Sequence, residues 1–347
     1  MKLFFLLSPA LLLCFFAASC DDDSIKPPSN AADSSTHNWR FEIDTLGGDL
    51  SGARDVVAFS ENDAYVSGEF LVYPDPNDLG NYEIYDLAHW DGKTWKLIQI
   101  RDPYMYAGTL YALNKSFIIL YSLGLHFFNG SYWSPIYIPP NTITLGVSGV
   151  WARNPSEVHM IGGGGSWVIW DGNVNGGNFQ RVQTPTNIDL TDIYGDGDVI
   201  YACGRDPAGD RSIILKNENG KITVVDSAVT PGQIQISSVW YNAKDNVLAY
   251  AGNKKKILDG TWKEDTTFRD YLDAVRGSSR NNVWWSGNFL SLQHYNGSTI
   301  KAFKKPFPQS GVLKSIDVHE SFFFASGFQF LQNRELRGIV VRGYKVK

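Results

Sequence analysis

Cysteine is scarce in this chain. Cys14 lies in an apolar leader, Cys20 follows it, and Cys203 stands alone, so no intramolecular disulfide framework is available. Charge is sparse as well. Only 19% of residues are Asp, Glu, Lys or Arg, the net charge is −5 and the pI is near 5.7. With no basic cluster, the sequence argues against a nucleic-acid partner. No long amphipathic helical pattern occurs after residue 20. HExxH and Cys/His ligand spacings are missing, and so is the G-x-S-x-G elbow. The glycine run from Gly162 to Gly165 lacks the G-x-G-x-x-G order that cradles phosphate. None of these familiar catalytic or metal-ligand motifs is therefore present.

What it has is repetition. A short apolar run ends in Gly at Gly68, Gly162, Gly204, Gly252, Gly287 and Gly327. An aromatic–Asn/Asp–Gly turn follows, as in His89 to Trp95, Phe128 to Trp133, Trp170 to Gly172, Leu258 to Trp262 and His294 to Gly297. The period is about 43 residues, and several short strands per period predict an all-β β-propeller. About seven four-stranded blades are expected. Asp-Gly and Asn-Gly suit hairpin turns that need positive φ. Aromatic residues, 14% of the chain, suit strands. Inner strands are expected to begin near Asp55, Thr109, Gly149, Asp192, Ser238, Asp273 and Ser315. The last copy ends at Lys347 with little room for an outer strand, so the segment from Asn38 to Ile43 is expected to close the last blade. An incomplete final blade is the alternative, and it would expose a sheet edge.

The N-terminus reads as an address. Met1-Lys2 precedes an apolar stretch from Leu3 to Phe16, then Ala17-Ala18-Ser19-Cys20 and three aspartates. This is a secretory pattern, too short to be read as a spanning helix. Small residues before Cys20 resemble a bacterial lipobox, except at Ala17, where Leu is usual. The expected organisation is a lipoprotein signal peptide over 1–19, a lipidated Cys20 with a flexible tether over 20–37, and a propeller over 38–347. An ordinary signal peptide or an uncleaved anchor is the alternative. The acidic run resembles a surface-export signal, so an outer-membrane location facing the exterior is expected, with a periplasm-facing one as the alternative. The lipid is then the sole membrane contact, and a monomer is expected.

The repeats resemble those of exported bacterial lipoprotein propellers, which read V-W-x-x-S-x-N-D-V-Y-A-V-G followed by H-Y-D-G-x-x-W. Val56 to Gly68 with His89 to Trp95, and Val275 to Gly287 with His294 to Gly297, carry the likeness. It implies the fold and little about function. The turn is also similar to the Asp-box of sialidases, but Asp91 and Gly92 are adjacent here, so no sialidase activity is carried over.

Candidate sites follow from irregularities. The segment from Glu69 to Asp86 is expected to be a loop between second and third strands, longer than its counterparts, and brings Tyr73, Tyr82 and Tyr85 among acidic residues. It shares a face with Tyr104, Tyr106, Tyr271, Arg205 and Arg211. Tyrosine platforms with fixed charges suit a glycan or protein partner. The loop from Asp75 to Glu83 has oxygen ligands for Ca²⁺ but no full pattern; otherwise no cofactor is expected. Asp55, Asp192 and Asp273 are placed at the channel mouth, where they either hydrogen-bond a neighbouring blade or act as a carboxylate pair. His89 and His294 occupy equivalent third-strand positions, and His159 takes a slot filled by Tyr65, Tyr201, Trp284 and Phe324 elsewhere, which reads as packing. Cys203 fills a slot for a small buried residue. Two functions stand: a non-enzymatic, lipid-anchored binding or scaffold propeller, or an exported hydrolase or lyase acting on glycans.

Overall fold

The computed structural model describes residues 37–75, 78, 80–100, 108–122, 124–206, 211–229, 236–252, 255–258, 262–265, 271–303, 310–331 and 335–346. The expected signal peptide, Cys20 and most of the expected tether lie outside them. Among the described residues there is no helix, and the strands make seven four-stranded antiparallel sheets arranged as a β-propeller.

Each blade is a meander. Blade one is β2 (Gly52–Ser60), β3 (Asp63–Val72), β4 (Glu83–Trp90) and β5 (Trp95–Ile98). Blade two is β6 (Leu110–Asn114), β7 (Phe117–Tyr121), β8 (Leu125–Phe128) and β9 (Trp133–Ile136). Blade three is β10 (Thr144–Asn154), β11 (Glu157–Gly163), β12 (Trp167–Trp170) and β13 (Phe179–Arg181). Blade four is β14 (Asp189–Asp196), β15 (Val199–Arg205), β16 (Arg211–Glu218) and β17 (Lys221–Val229). Blade five is β18 (Ile236–Asn242), β19 (Val247–Gly252), β20 (Lys255–Leu258) and β21 (Trp262–Asp265). Blade six is β22 (Leu272–Ser279), β23 (Asn282–Gly287), β24 (Ser291–Tyr295) and β25 (Ile300–Phe303). The last sheet takes β26 (Gly311–Val318), β27 (Phe322–Phe330) and β28 (Leu336–Lys345) from the C-terminal end and β1 (Trp39–Asp49) from the other. Trp39 stands opposite Lys345, and Asp44 opposite Val340.

The recurring turn has a local cause. Asp91 Oδ1 accepts the backbone N–H groups of Lys93 and Thr94 at 3.0 and 2.9 Å. Asn129 does the same for Ser131 and Tyr132, and Asn296 for Ser298 and Thr299. The side chain thus caps its own turn, and Gly92, Gly130 and Gly297 supply φ near +90° behind it. The run-ending glycines have a different cause. Six inner strands carry a β-bulge beside the strand opposite. In blade four Leu190 pairs with Gly204 and Asp192 with Cys203, leaving Thr191 as the extra residue. A Cβ on Gly204 would strike the Asp189 carbonyl, and one on Gly327 the Val312 carbonyl.

The core lies between blades, where sheet faces stack. Trp284, Phe323, Leu313 and Trp39 fill the space between blades six and seven. Phe70, Val66 and Phe324 join blade one to blade seven. Phe70 and Leu71 are buried, which corrects the expectation that Glu69 to Asp86 is a loop. β3 continues to Val72 and pairs Leu71 with Ile84, so the insertion is a longer hairpin whose tip alone is irregular.

Candidate binding face

In an antiparallel meander, successive connections fall at opposite ends of the strands. Turns between first and second strands, and between third and fourth, share one face of the ring. Connections between second and third strands, and from blade to blade, share the other, which carries the long hairpin of blade one. The bulges lie at this loop face because they open the inner strands there.

The bulge residues form a ring at the mouth of the channel. In blades three to five they are Ser148, Thr191 and Ser237. Each hydroxyl donates to a carbonyl of the next inner strand: Ser148 to Leu190 at 2.5 Å, Thr191 to Ser237 at 3.1 Å, Ser237 to Leu272 at 2.8 Å. Thr109 of blade two does likewise with Val147, at 3.2 Å. Blades six, seven and one break the series with Asp273, Lys314 and Arg54. Lys314 Nζ lies 2.8 Å from Asp273 Oδ1, while the buried Asp273 Oδ2 has no hydrogen-bond partner. Burial raises the Asp273 carboxyl above its ordinary value, and Lys314 offsets part of that. Arg205 Nη1 donates to the Tyr271 hydroxyl at 2.8 Å beside this pair.

Asp273 therefore does not share a position with Asp55 and Asp192. It is the bulge residue, one place earlier, because the extra residue shifts the register. Asp55 and Asp192 sit one step inside and are engaged with neighbouring blades. Asp55 Oδ2 accepts the Leu110 N–H of blade two at 2.9 Å, and Oδ1 accepts the Ser315 hydroxyl of blade seven at 2.5 Å. Burial raises the Asp55 carboxyl despite these bonds. Asp192 Oδ2 accepts the Val239 N–H at 3.0 Å and the Ser238 hydroxyl at 2.5 Å. Arg276, missed in the sequence, adds a two-pronged contact to Asp192 at 2.9 and 3.0 Å and lies over the Tyr194 ring. These carboxylates tie blades together. Beneath them a cavity of about 420 Å³ runs along the inner strands, past Tyr111, Trp151, Phe59 and Asp317.

The remaining candidates divide. Tyr73 and Tyr82 stand edge to face with ring centres 6.0 Å apart, and the Tyr73 hydroxyl donates to the Asp49 carbonyl at 3.0 Å. Tyr82 is exposed. Tyr85 is partly buried against the core between blades one and seven, and its hydroxyl donates to Glu83 Oε2 at 2.6 Å. Arg211 is paired with Asp206 at 2.8 Å. Tyr104 and Tyr106 lie outside the described residues. In the Asp75 to Glu83 tip, Asp78 Oδ1 accepts the Gly80 N–H at 3.2 Å; no metal-ligating group of three or more His, Cys, Asp or Glu occurs among the described residues.

No protein-family model and no curated protein sequence matches the chain. Solved structures do. YCF48 bound to a D1 peptide is similar at 13% identity and a TM-score of 0.64, covering 90% of this chain and 98% of that one. A catalytically inactive virginiamycin B lyase from Staphylococcus aureus with quinupristin is similar at 8% identity and 0.65, covering 89% and 100%. The WD40 propeller domain of Doa1 follows at 12% identity and 0.55, covering 86% and 96%. Likeness at these identities establishes the fold, which hosts both binding proteins and a lyase.

Proposed function

We propose that the protein is a non-enzymatic binding propeller that takes a segment of a protein partner at the charged half of its loop-face mouth. One observation carries this reading. Four blades fasten their inner strands with a Ser or Thr hydroxyl, so the fastening needs no charge. Blades six, seven and one nevertheless place Asp273, Lys314 and Arg54 in that ring, and Asp273 keeps one carboxylate oxygen without a hydrogen bond. A partly desolvated ion pair is a weak device for stability. Groups that break a repeat's own rule without structural need are candidates for recognition. A propeller neighbour binds a peptide, which is compatible with this reading. A glycan is the second reading, favoured by the Tyr73–Tyr82 pair at the rim.

The leader fits the same arrangement. His37 meets Thr299 in a hairpin turn of blade six, so the chain joins the ring at the face opposite the mouth. A lipid on Cys20 would hold the hairpin-turn face toward a membrane and direct the mouth away from it. Cys20→Ala should then release the protein from membranes, and replacing Asp21 to Asp23 with Ser should alter its display, read by protease shaving of intact cells.

The binding test uses the residues of the sister blades. Asp273→Ser and Lys314→Ser, singly and together, should fold; the double variant should keep a melting temperature near the parent's, whereas Lys314→Ser alone should lower it, because it leaves the buried Asp273 carboxylate without its cation. They should lose binding in a screen of peptide and glycan arrays against which the parent gives a signal. Parent-like binding by the double variant would refute the site.

A further inference from the structure

We propose that His37 and His294 form an acid-released latch that fastens the start of the closing strand to blade six. The Nδ1 atoms of the two rings are 3.0 Å apart, and the rings meet edge to face at 5.0 Å. A bond between two ring nitrogens needs one donor and one lone pair, so it matters which ring holds the proton.

The surrounding bonds decide this. Asn282 Nδ2 donates to the His319 carbonyl at 2.9 Å, and a carbonyl only accepts, which fixes the amide orientation. Asn282 Oδ1 is then an acceptor, and it takes the Trp284 indole N–H at 2.9 Å. His294 Nε2 lies 3.1 Å from the same oxygen and must donate. With its proton on Nε2, neutral His294 presents a bare lone pair at Nδ1, and His37 Nδ1–H donates to it. His37 Nε2 meets the Thr299 hydroxyl at 2.8 Å. That hydroxyl also reaches Asn296 Oδ1 at 3.3 Å, so His37 can take a second proton without breaking the chain of bonds. His294 cannot. A proton on its Nδ1 would point at the Nδ1–H of His37.

The environment of His294 works in the same direction. It is fully buried, stacked on Trp284 at 4.5 Å and edge-on to Trp39 at 5.6 Å. Burial is the main cause that pushes it well below its ordinary value, and charge on His37, on Lys345 of β28 and on Lys301 of β25 acts the same way. In the closed latch the ring stays neutral; once the latch opens, it can bind a proton. Acid therefore favours the open form, in which residues 37–39 leave blade six and the outer strand of the last blade frays from its first residue.

Two measurements on the full chain test this. Nitrogen-15 NMR of the histidine rings at pH 7.5 should show His294 protonated at Nε2 and bare at Nδ1; the opposite tautomer would overturn the proposal. Hydrogen exchange, corrected for its intrinsic pH dependence, should show opening of Arg40 to Ile43 relative to Phe323 to Ala325. The ratio should rise up to about tenfold per pH unit below ~6.5. His37→Ala should open β1 at pH 7.5 and flatten that slope. A β1 opening ratio independent of pH in the parent, or an unchanged slope in His37→Ala, would overturn it.

Discussion

Arg276 and Asp192 stand two blades apart, and their side chains meet past the inner strand of the blade between them, with guanidinium nitrogens 2.9 and 3.0 Å from the two carboxylate oxygens. Arg276 also donates to Ser238 and to the Val239 carbonyl of that intervening blade. One side chain thus links blades four, five and six at the channel. Arg276→Met leaves Asp192 partly buried without its cation and should cost about 3 kcal/mol in urea unfolding. Adding Asp192→Asn should recover part of that loss, because the two changes remove one interaction. Equal stability of Arg276→Met and parent would show the clamp to be idle.

The closing sheet makes a second prediction. Trp39 is buried among Trp284, Phe323 and Leu313. Trp39→Ala should lower stability by about 3 kcal/mol. It should also loosen β28, which holds β1 at its edge. Calorimetry with hydrogen exchange at Ile339 to Val341 checks both effects.

A third concerns pH at His159. Trp167 Nε1–H donates to its Nδ1 at 3.0 Å, so that nitrogen keeps its lone pair, while Nε2 faces Glu157 at 3.0 Å. Burial lowers its pKa, although Glu157 acts the other way. A base lowered on folding stabilises the fold fully above its unfolded value near 6.5. That contribution is lost as pH falls from there through the folded value. Stability should therefore decline on acidification below about pH 6.5, and His159→Gln should reduce the slope. His319 has the opposite sign. Asp317 and the Ala58 carbonyl raise it against burial, so its contribution holds below 6.5 and fades as pH rises through its raised value.

Cys203 supplies a fourth. It is buried, and burial drives its thiol far above the ordinary range. Alkylation at neutral pH should modify it only at the rate of unfolding, read from the mass of its tryptic peptide. Rapid modification in the native protein would contradict the packing described.

Much of the ring could be read from the chain because its devices are local. An Asn or Asp that caps its own turn, followed by Gly, leaves the same mark wherever it recurs, as at Asp91-Gly92 and Asn296-Gly297. A glycine whose Cβ would strike the opposite strand leaves another, as at Gly204. What escaped notice depends on distant pairing. The bulge that moves Asp273 one place from Asp55 and Asp192 shows only when inner and second strands are in register. Phe70 and Leu71 look like loop residues until Ile84 pairs beside them. Arg276 belongs to an unremarkable run, Ala274 to Gly277, and its partner lies 84 residues away. His37 and His294 are separated by nearly the whole propeller.

Crosslinking in the producing cell tests the binding face most directly. A photoreactive residue is placed at Arg54, on the charged half of the mouth, or at Tyr132, exposed in a hairpin turn on the other face. The account predicts a discrete covalent adduct with a partner protein from position 54, lost when Asp273→Ser and Lys314→Ser are added, and none from position 132. Adducts from position 132 alone, or from neither position, would contradict it.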